Sequence, residues 1–220
     1  MRVVILISGR GSNMRALLES DFPADAPVRF ACVISNKADA PGLQTAAAHG
    51  VPTEVIDHRQ FPDRASFDTA LAARIDAYQP DVVILAGFMR VLTTDFVRHY
   101  ENRLINVHPA LLPAFPGLDT HARAIAAGVK LHGCTVHFVT PEVDAGPIIA
   151  QAAVPVLADD TPELLAMRVL RQEHRIFPLV VGWLAQGRVS VRENGTVTLL
   201  RGQSIEGEAA LISPSVADPG

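Results

Sequence analysis

Apolar residues along the chain fall into short dense runs, and the stretches between those runs carry helical spacing. The first run, "RVVILIS", is rich in β-branched residues and ends in "GRGSN". "NMRALLES" follows with the pattern of a helix, so the chain opens as strand, glycine-rich turn and helix. "VRFACVIS" repeats the strand signal, "GLQTAAAHG" reads as a helix closed by Gly50, and "TEVID" is a third short strand. Residues 63–78 have helical periodicity, and "PDVVILAG" is a fourth strand, apolar without interruption. Unbroken apolar runs are expected of parallel strands covered on both faces. Strands that alternate with helices predict an α/β, Rossmann-like fold: a mostly parallel twisted sheet with helices on both faces.

The second half is less regular. "RLINV" predicts a strand, "THARAIAAG" a short helix, "HGCTVHFVT" a strand of alternating pattern and "GPIIAQAAVPV" another strand. "TPELLAMRVLRQEHRIFPLVVGWLAQG" predicts one long helix with Thr161 as N-cap and Pro162 in the first turn. Pro178 is expected to kink it. "RVSVRENGTVTLL" reads as a hairpin across Asn194-Gly195. No repeat or linker interrupts this pattern, so residues 1–203 are expected to form a single domain in two halves, 1–100 and 101–203. Residues 204–220 are expected to be a loose tail.

Composition narrows the function. Hydrophobic residues make up 49 % of the 220, which supports a substantial core. A net charge of −4 and a pI near 6.0 argue against an extended surface for nucleic acid. No run has the length of a membrane span, and the N-terminal run is too short for a signal peptide. Cys32 and Cys134 sit among apolar residues without a CxxC pair and read as reduced core thiols. A soluble cytoplasmic protein that acts on small molecules is expected.

Three places carry candidate chemistry. In "SGRGSN", Gly9 and Gly11 follow a strand and Ser12-Asn13 open a helix, whose free N–H groups and dipole favour a phosphate or carboxylate. A dinucleotide fingerprint would need a glycine where Met14 stands and an acidic residue where the second strand ends in "ISNK". A monophosphate site and a plain tight turn both stay open. In "LINVHPALLP", Asn106 and His108 share one side of a strand that Pro109 ends, at the sheet edge where open α/β folds bind ligands. A pair that merely satisfies its own hydrogen bonds is the plain alternative.

The third place is "TPEVDAG", residues 140–146, a polar loop with Glu142 and Asp144. A carboxylate brought beside His108 would favour the imidazolium and raise its pKa. An imidazolium next to an amide makes two donors for a developing oxyanion. That suggests acyl transfer with no nucleophile on the enzyme. "GRGSN" is not a nucleophile elbow. His108, His121, His132 and His137 match no zinc spacing, so no metal is expected.

"SGRGSN", "SNKADAPGL", "LAGFMRVL", "NVHPALLPAFPGLDTH", "HGCTVHFVTPEVDAGPII" and "QEHRIFPLVV" together resemble the folate-dependent glycinamide ribonucleotide formyltransferases of purine biosynthesis. The resemblance runs from Met1 to about Val191. It implies attack of the nucleotide's amine on the formyl group of the co-substrate 10-formyltetrahydrofolate. It further implies that Asn106 and His108 stabilise the oxyanion, that His108 donates a proton, and that Asp144 keeps His108 charged and helps pass protons. Gly11, Ser12 and Asn13 would bind phosphate, Pro109 would border the nucleotide, and Glu173 would accept from the ribose hydroxyls. Without the resemblance, Glu173 reads as part of a solvated helix face.

For folate, the resemblance implies backbone contacts from Met89, Arg90 and Leu92, with Val91 in the same segment and Asn106 beside it. Leu85, Val97, Leu104 and Val139 would form apolar walls, and Thr140, Pro141, Glu142, Val143 and Asp144 would close over the ring. Arg64 would meet the glutamate carboxylate, or be an ordinary surface arginine. Ala110 and Ala114 stand where relatives often carry serine and lysine, and Arg10 adds a cation in the phosphate loop. The first half would then bind the nucleotide and the second half the folate, in a monomer or homodimer. Related activities are also open: formyltetrahydrofolate hydrolase, or a non-catalytic folate or nucleotide module. A methionyl-tRNA formyltransferase would need a further C-terminal domain and a basic surface.

Overall fold

A computed structural model describes residues 1–200; the tail expected at 204–220 lies outside the described residues. In chain order the elements are β1 (Arg2–Ile7), α1 (Ser12–Leu18), β2 (Arg29–Ser35), α2 (Gly42–Ala48), β3 (Thr53–Val55), a 3-10 turn (His58–Gln60), α3 (Arg64–Asp76) and β4 (Val82–Leu85). Then come α4 (Thr94–His99), β5 (Leu104–His108), α5 (Thr120–Ala126), β6 (Leu131–Phe138), β7 (Ile148–Pro155), α6 (Pro162–Ala185), β8 (Val189–Val191) and β9 (Val197–Leu199).

Seven strands form one sheet in the order β3-β2-β1-β4-β5-β6-β7, and β8 and β9 form the expected separate hairpin. The first five strands in that order are parallel. The direction reverses at β6, which runs antiparallel to β5, and β7 is antiparallel to β6. β1 therefore has β2 on one side and β4 on the other. Strand order switches there, which opens a crevice at the carboxyl ends of β1 and β4.

Alternation along β1 explains the two-sided cover. Val3, Ile5 and Ile7 enter one core with Met14 and Leu17 of α1 and with Leu165, Val169 and Phe177 of α6. Val4 and Leu6 enter the other, with Phe67, Leu71 and Ile75 of α3 and Phe96 and Tyr100 around α4. Each large side chain so buried contributes about 1.5–3 kcal/mol. Cys32 and Cys134 are both buried, and burial pushes their thiols up to about 11 and about 12.

Thr161 caps α6 as expected, accepting from Leu164 N–H. The helix runs on without a break through Pro178. α4 has no counterpart in the sequence reading. It is six residues long, too short to show a period, and depends on Thr93, whose side chain accepts from Phe96 N–H.

Candidate active site

The loop after β1 enters α1 through Gly11, which caps the helix at φ 68 without a side-chain bond. The first-turn N–H groups of α1 thus have no side-chain cap. The loop packs against the start of α2: Gly42 N–H donates to Gly9 O at 3.0 Å. A Cβ on Gly42 would stand 2.6 Å from Ile7 Cδ1 and 2.9 Å from Gly9 O, so only glycine fits without moving the loop. Arg10 is exposed and Ser12 half-buried.

Asn13 is buried, and its Nδ2 donates to Glu173 Oε2 at 2.7 Å. Glu173 is only 7 % exposed, which overturns the solvated reading of its helix face. Burial pushes its carboxyl up, and the bond from Asn13 partly opposes that. Asn13 Oδ1 has no partner among the described residues. The loop therefore presents an amide and a carboxylate from two distant parts of the chain beside an uncapped helix start.

On the other side of the switch point, residues 88–93 leave β4 without regular structure. Among the described residues, the backbone N–H and C=O groups of Arg90, Val91 and Leu92 have no hydrogen-bond partner. These three residues line a cleft of about 140 Å3 with Leu85, Val97, Asn106, Val139, Thr140, Pro141, Val143 and Asp144. Phe88 and His137 complete its walls.

Several expected folate residues stand elsewhere. Met89 is 66 % exposed, and its N–H is already donated to Ser8 Oγ at 2.8 Å, so only its carbonyl is open to a ligand. Leu104 is fully buried in the core beneath the cleft. Glu142 is exposed, and its carbonyl accepts from Thr140 Oγ1. Arg64 is exposed at the first turn of α3 and is not among the cleft's lining residues. A broader hollow of about 520 Å3 lies between α6 and the α1–β2 connection and holds none of the expected site residues.

Asn106 and His108 end β5, with Pro109 after them, as the alternation requires. Of the two carboxylates in the 140–146 loop, Asp144 is the one that reaches them. Its Oδ2 lies 3.4 Å from His108 Nδ1 and accepts from Gly117 N–H at 2.8 Å. Asp144 has φ 54, a left-handed conformation that aspartate and asparagine tolerate better than most residues.

His108 is 5 % exposed, and its other nitrogen, Nε2, lies 2.9 Å from Phe115 O. Both ring nitrogens therefore face acceptor oxygens. His108 thus points into the protein on both sides, where the sequence reading had it aimed at a ligand.

Sequence reasoning passed over His137 except as a metal candidate. It sits directly opposite Asn106 in the antiparallel β5–β6 register. Nδ1 of His137 lies 2.9 Å from Phe138 O, and Nε2 lies 3.3 Å from Asn106 Nδ2. Burial pushes its pKa down, with the Phe138 carbonyl and Asp144 opposing. Among the described residues, no three His, Cys, Asp or Glu side chains converge as metal ligands.

Residues 1–181 match the family model described as Formyl transferase. The chain belongs to the formyl transferase family. Among formyl transferases it is 48 % identical over 194 residues to phosphoribosylglycinamide formyltransferase of Escherichia coli (strain K12), covering 88 % of this chain and 92 % of that protein. It is 45 % identical over 196 residues to the human trifunctional purine biosynthetic protein adenosine-3, covering 89 % of this chain and 19 % of that much longer protein. The formyl transferase fold described above superposes on the crystal structure of glycinamide ribonucleotide transformylase 1 from Symbiobacterium toebii with a TM-score of 0.87 and 48 % identity, covering 91 % and 94 % of the two chains. No helix among the described residues is long and apolar enough to cross a membrane.

Proposed function

We propose that this formyl transferase moves the formyl group of 10-formyltetrahydrofolate to the amine of glycinamide ribonucleotide, giving formylglycinamide ribonucleotide and tetrahydrofolate in purine biosynthesis. The observation that carries the reading is the meeting of Asn106, His108 and Asp144 between two unlike loops. One has a bare helix start beside Glu173; the other has an unpaired backbone edge over an apolar cleft.

The nucleotide's phosphate takes the N–H groups of Gly11, Ser12 and Asn13, and Glu173 accepts from its ribose hydroxyls. Pro109 borders the same substrate. The pterin lies in the cleft against Arg90, Val91 and Leu92, with Thr140, Pro141, Val143 and Asp144 over it. Met89 contributes its carbonyl, while Glu142 and Arg64 lie towards the exposed end of the folate. The described residues act as one domain in which each substrate takes contacts from both halves of the chain. Glu173 and Pro109 join the glycine-rich turn at the nucleotide, and residues 89–92 join Asn106 and the 140–144 loop at the folate, so the halves are not divided one to each substrate. The two substrates are soluble metabolites; we assign the enzyme to the cytoplasm, as a monomer or homodimer with no metal, nucleic-acid or membrane partner.

The amine nitrogen attacks the formyl carbon, forming the new C–N bond and placing negative charge on the formyl oxygen. One Asn106 Nδ2 proton is held by His137, and the other is available to that oxygen. His108 adds positive charge close by, and Asp144 balances it. For His108 to present a proton to the reacting atoms, its contact with Phe115 O must part. Collapse then breaks the bond to the folate nitrogen, which takes up a proton while the attacking nitrogen loses one, with Asp144 as relay.

The test is to mix the protein with glycinamide ribonucleotide and a 10-formylfolate and to follow deformylation by absorbance. Folate product that depends on the amine substrate is expected. Loss of formyl without the amine would indicate hydrolysis, and no loss would indicate a binding module; either result defeats the proposal.

A further inference from the structure

The segment 88–93 lacks regular structure, yet it is held at both ends by side chains from elsewhere in the chain. At one end Met89 N–H donates to Ser8 Oγ at 2.8 Å, and at the other Thr93 N–H donates to Asp68 Oδ2 at 2.6 Å. Both acceptors are buried, Ser8 at 5 % and Asp68 at 3 % exposure. Neither was singled out by its sequence context. Ser8 precedes the glycine-rich turn, and Asp68 lies on α3 in the middle of a helical pattern.

The Ser8 hydroxyl is itself oriented. Its one proton goes to Asn36 Oδ1 at 2.6 Å, and Asn36 is buried with its Nδ2 3.2 Å from His58 Nδ1. With that proton committed, Ser8 Oγ meets Met89 as an acceptor alone. Ser8 N–H also donates to Gly87 O at 3.1 Å, so the nucleotide loop and the folate loop are tied side by side.

Asp68 is an uneconomical choice for mere packing. Its second oxygen, Oδ1, is buried with no partner among the described residues, which is unfavourable for any polar atom and more so for a carboxylate. Between the two anchors lies Arg90, whose guanidinium carbon stacks 5.0 Å over the ring of Phe67, next to Asp68 in sequence. Arg90, Val91 and Leu92, whose backbone groups have no partners among the described residues, all line the cleft.

We propose that Ser8 and Asp68 are positioning residues that clamp the two ends of the folate loop and so keep the backbone edge of Arg90 to Leu92 set for the pterin. The inference rests on the assignment of this cleft to the formylfolate. A heterocycle read by backbone donors and acceptors needs them at fixed spacing. A loop that must order itself on binding loses affinity by the cost of that ordering. Loss of either clamp therefore weakens folate binding, while the nucleotide's contacts lie outside the loop.

Steady-state kinetics with both substrates would test this in Ser8→Ala, Asp68→Ala, Asp68→Asn and Ser20→Ala. Ser20 serves as control: its hydroxyl donates only to Ala16 O, at the end of α1. Ser8→Ala and Asp68→Ala should raise KM for the formylfolate about tenfold, with kcat and the nucleotide KM within about threefold of the parent. Asp68→Asn keeps an oxygen for Thr93 N–H and should stay near the parent. Ser20→Ala should change no kinetic constant, even where its Tm falls. Should an alanine variant not fold, Asn36→Ala leaves Ser8 in place with its hydroxyl unfixed and should raise the folate KM by a smaller factor. An unchanged folate KM in these variants overturns the proposal, as does a loss of all three constants in step with Tm. A parent protein without amine-dependent turnover would defeat the assigned function first, and this inference with it.

Discussion

Asn106 and His137 face each other across the β5–β6 ladder, with the amide nitrogen of one 3.3 Å from Nε2 of the other. The Phe138 carbonyl, 2.9 Å from Nδ1, fixes the tautomer: Nδ1 carries the proton and Nε2 accepts. That acceptor tells the Asn106 amide which way to turn. Replacing His137 with leucine removes it and should lower kcat about tenfold, with both KM values within about threefold. His137→Gln supplies an oxygen acceptor and should recover most of the loss. Steady-state kinetics of the two variants checks both outcomes.

Asp144→Asn keeps the shape of the side chain, an acceptor for Gly117 N–H, and a residue at ease at φ 54. It removes the negative charge from between His108 and His137. Turnover should fall by well over tenfold, on the order of 2 kcal/mol or more of transition-state stabilisation. Calorimetric titration with glycinamide ribonucleotide should give a Kd within about twofold of the parent.

Gly42→Ala drives a methyl group into Ile7 Cδ1 and Gly9 O. The glycine-rich turn must give way, because its other side rests on β1. The nucleotide KM should rise about tenfold while formylfolate binding, measured by fluorescence titration, stays close to the parent value.

His132 gives the fold a dependence on pH. It is 1 % exposed, and burial, then the neighbouring His121, push its pKa down to about 4, with the Pro109 backbone opposing. In the unfolded chain it takes a proton near pH 6.5, while the folded chain resists until about pH 4. Its contribution is therefore fully present above about 6.5 and drains away as the pH falls towards 4, by up to about 3 kcal/mol. Urea melts across that interval should show a shallower decline for His132→Phe, which has no site for the proton.

The strands and most helices were legible because their signals are local. β1 alternates between two cores, α6 repeats its apolar residues at helical spacing, and Asn194-Gly195 marks its turn. Asn106, His108 and Asp144 stood out as polar residues in a strand end and a loop. What remained hidden depends on partners distant in sequence. Nothing near Glu173 says that Asn13 will bury it, and nothing near His137 says that Asn106 will stand opposite. Gly42 looks like any helix-opening glycine until α2 is laid against the turn after β1. Likewise the engagement of His108 with Phe115 O comes from a connection whose course has no periodic pattern.

The reversal of direction between β5 and β6 makes the chemistry insensitive to some length changes and intolerant of others. A residue or two inserted at 127–130, where α5 turns into β6, would be absorbed as a surface bulge, with the paired strands still in step. Deleting one residue within β6 would exchange its two faces, set an apolar neighbour of His137 against Asn106, and turn the imidazole towards the wrong layer.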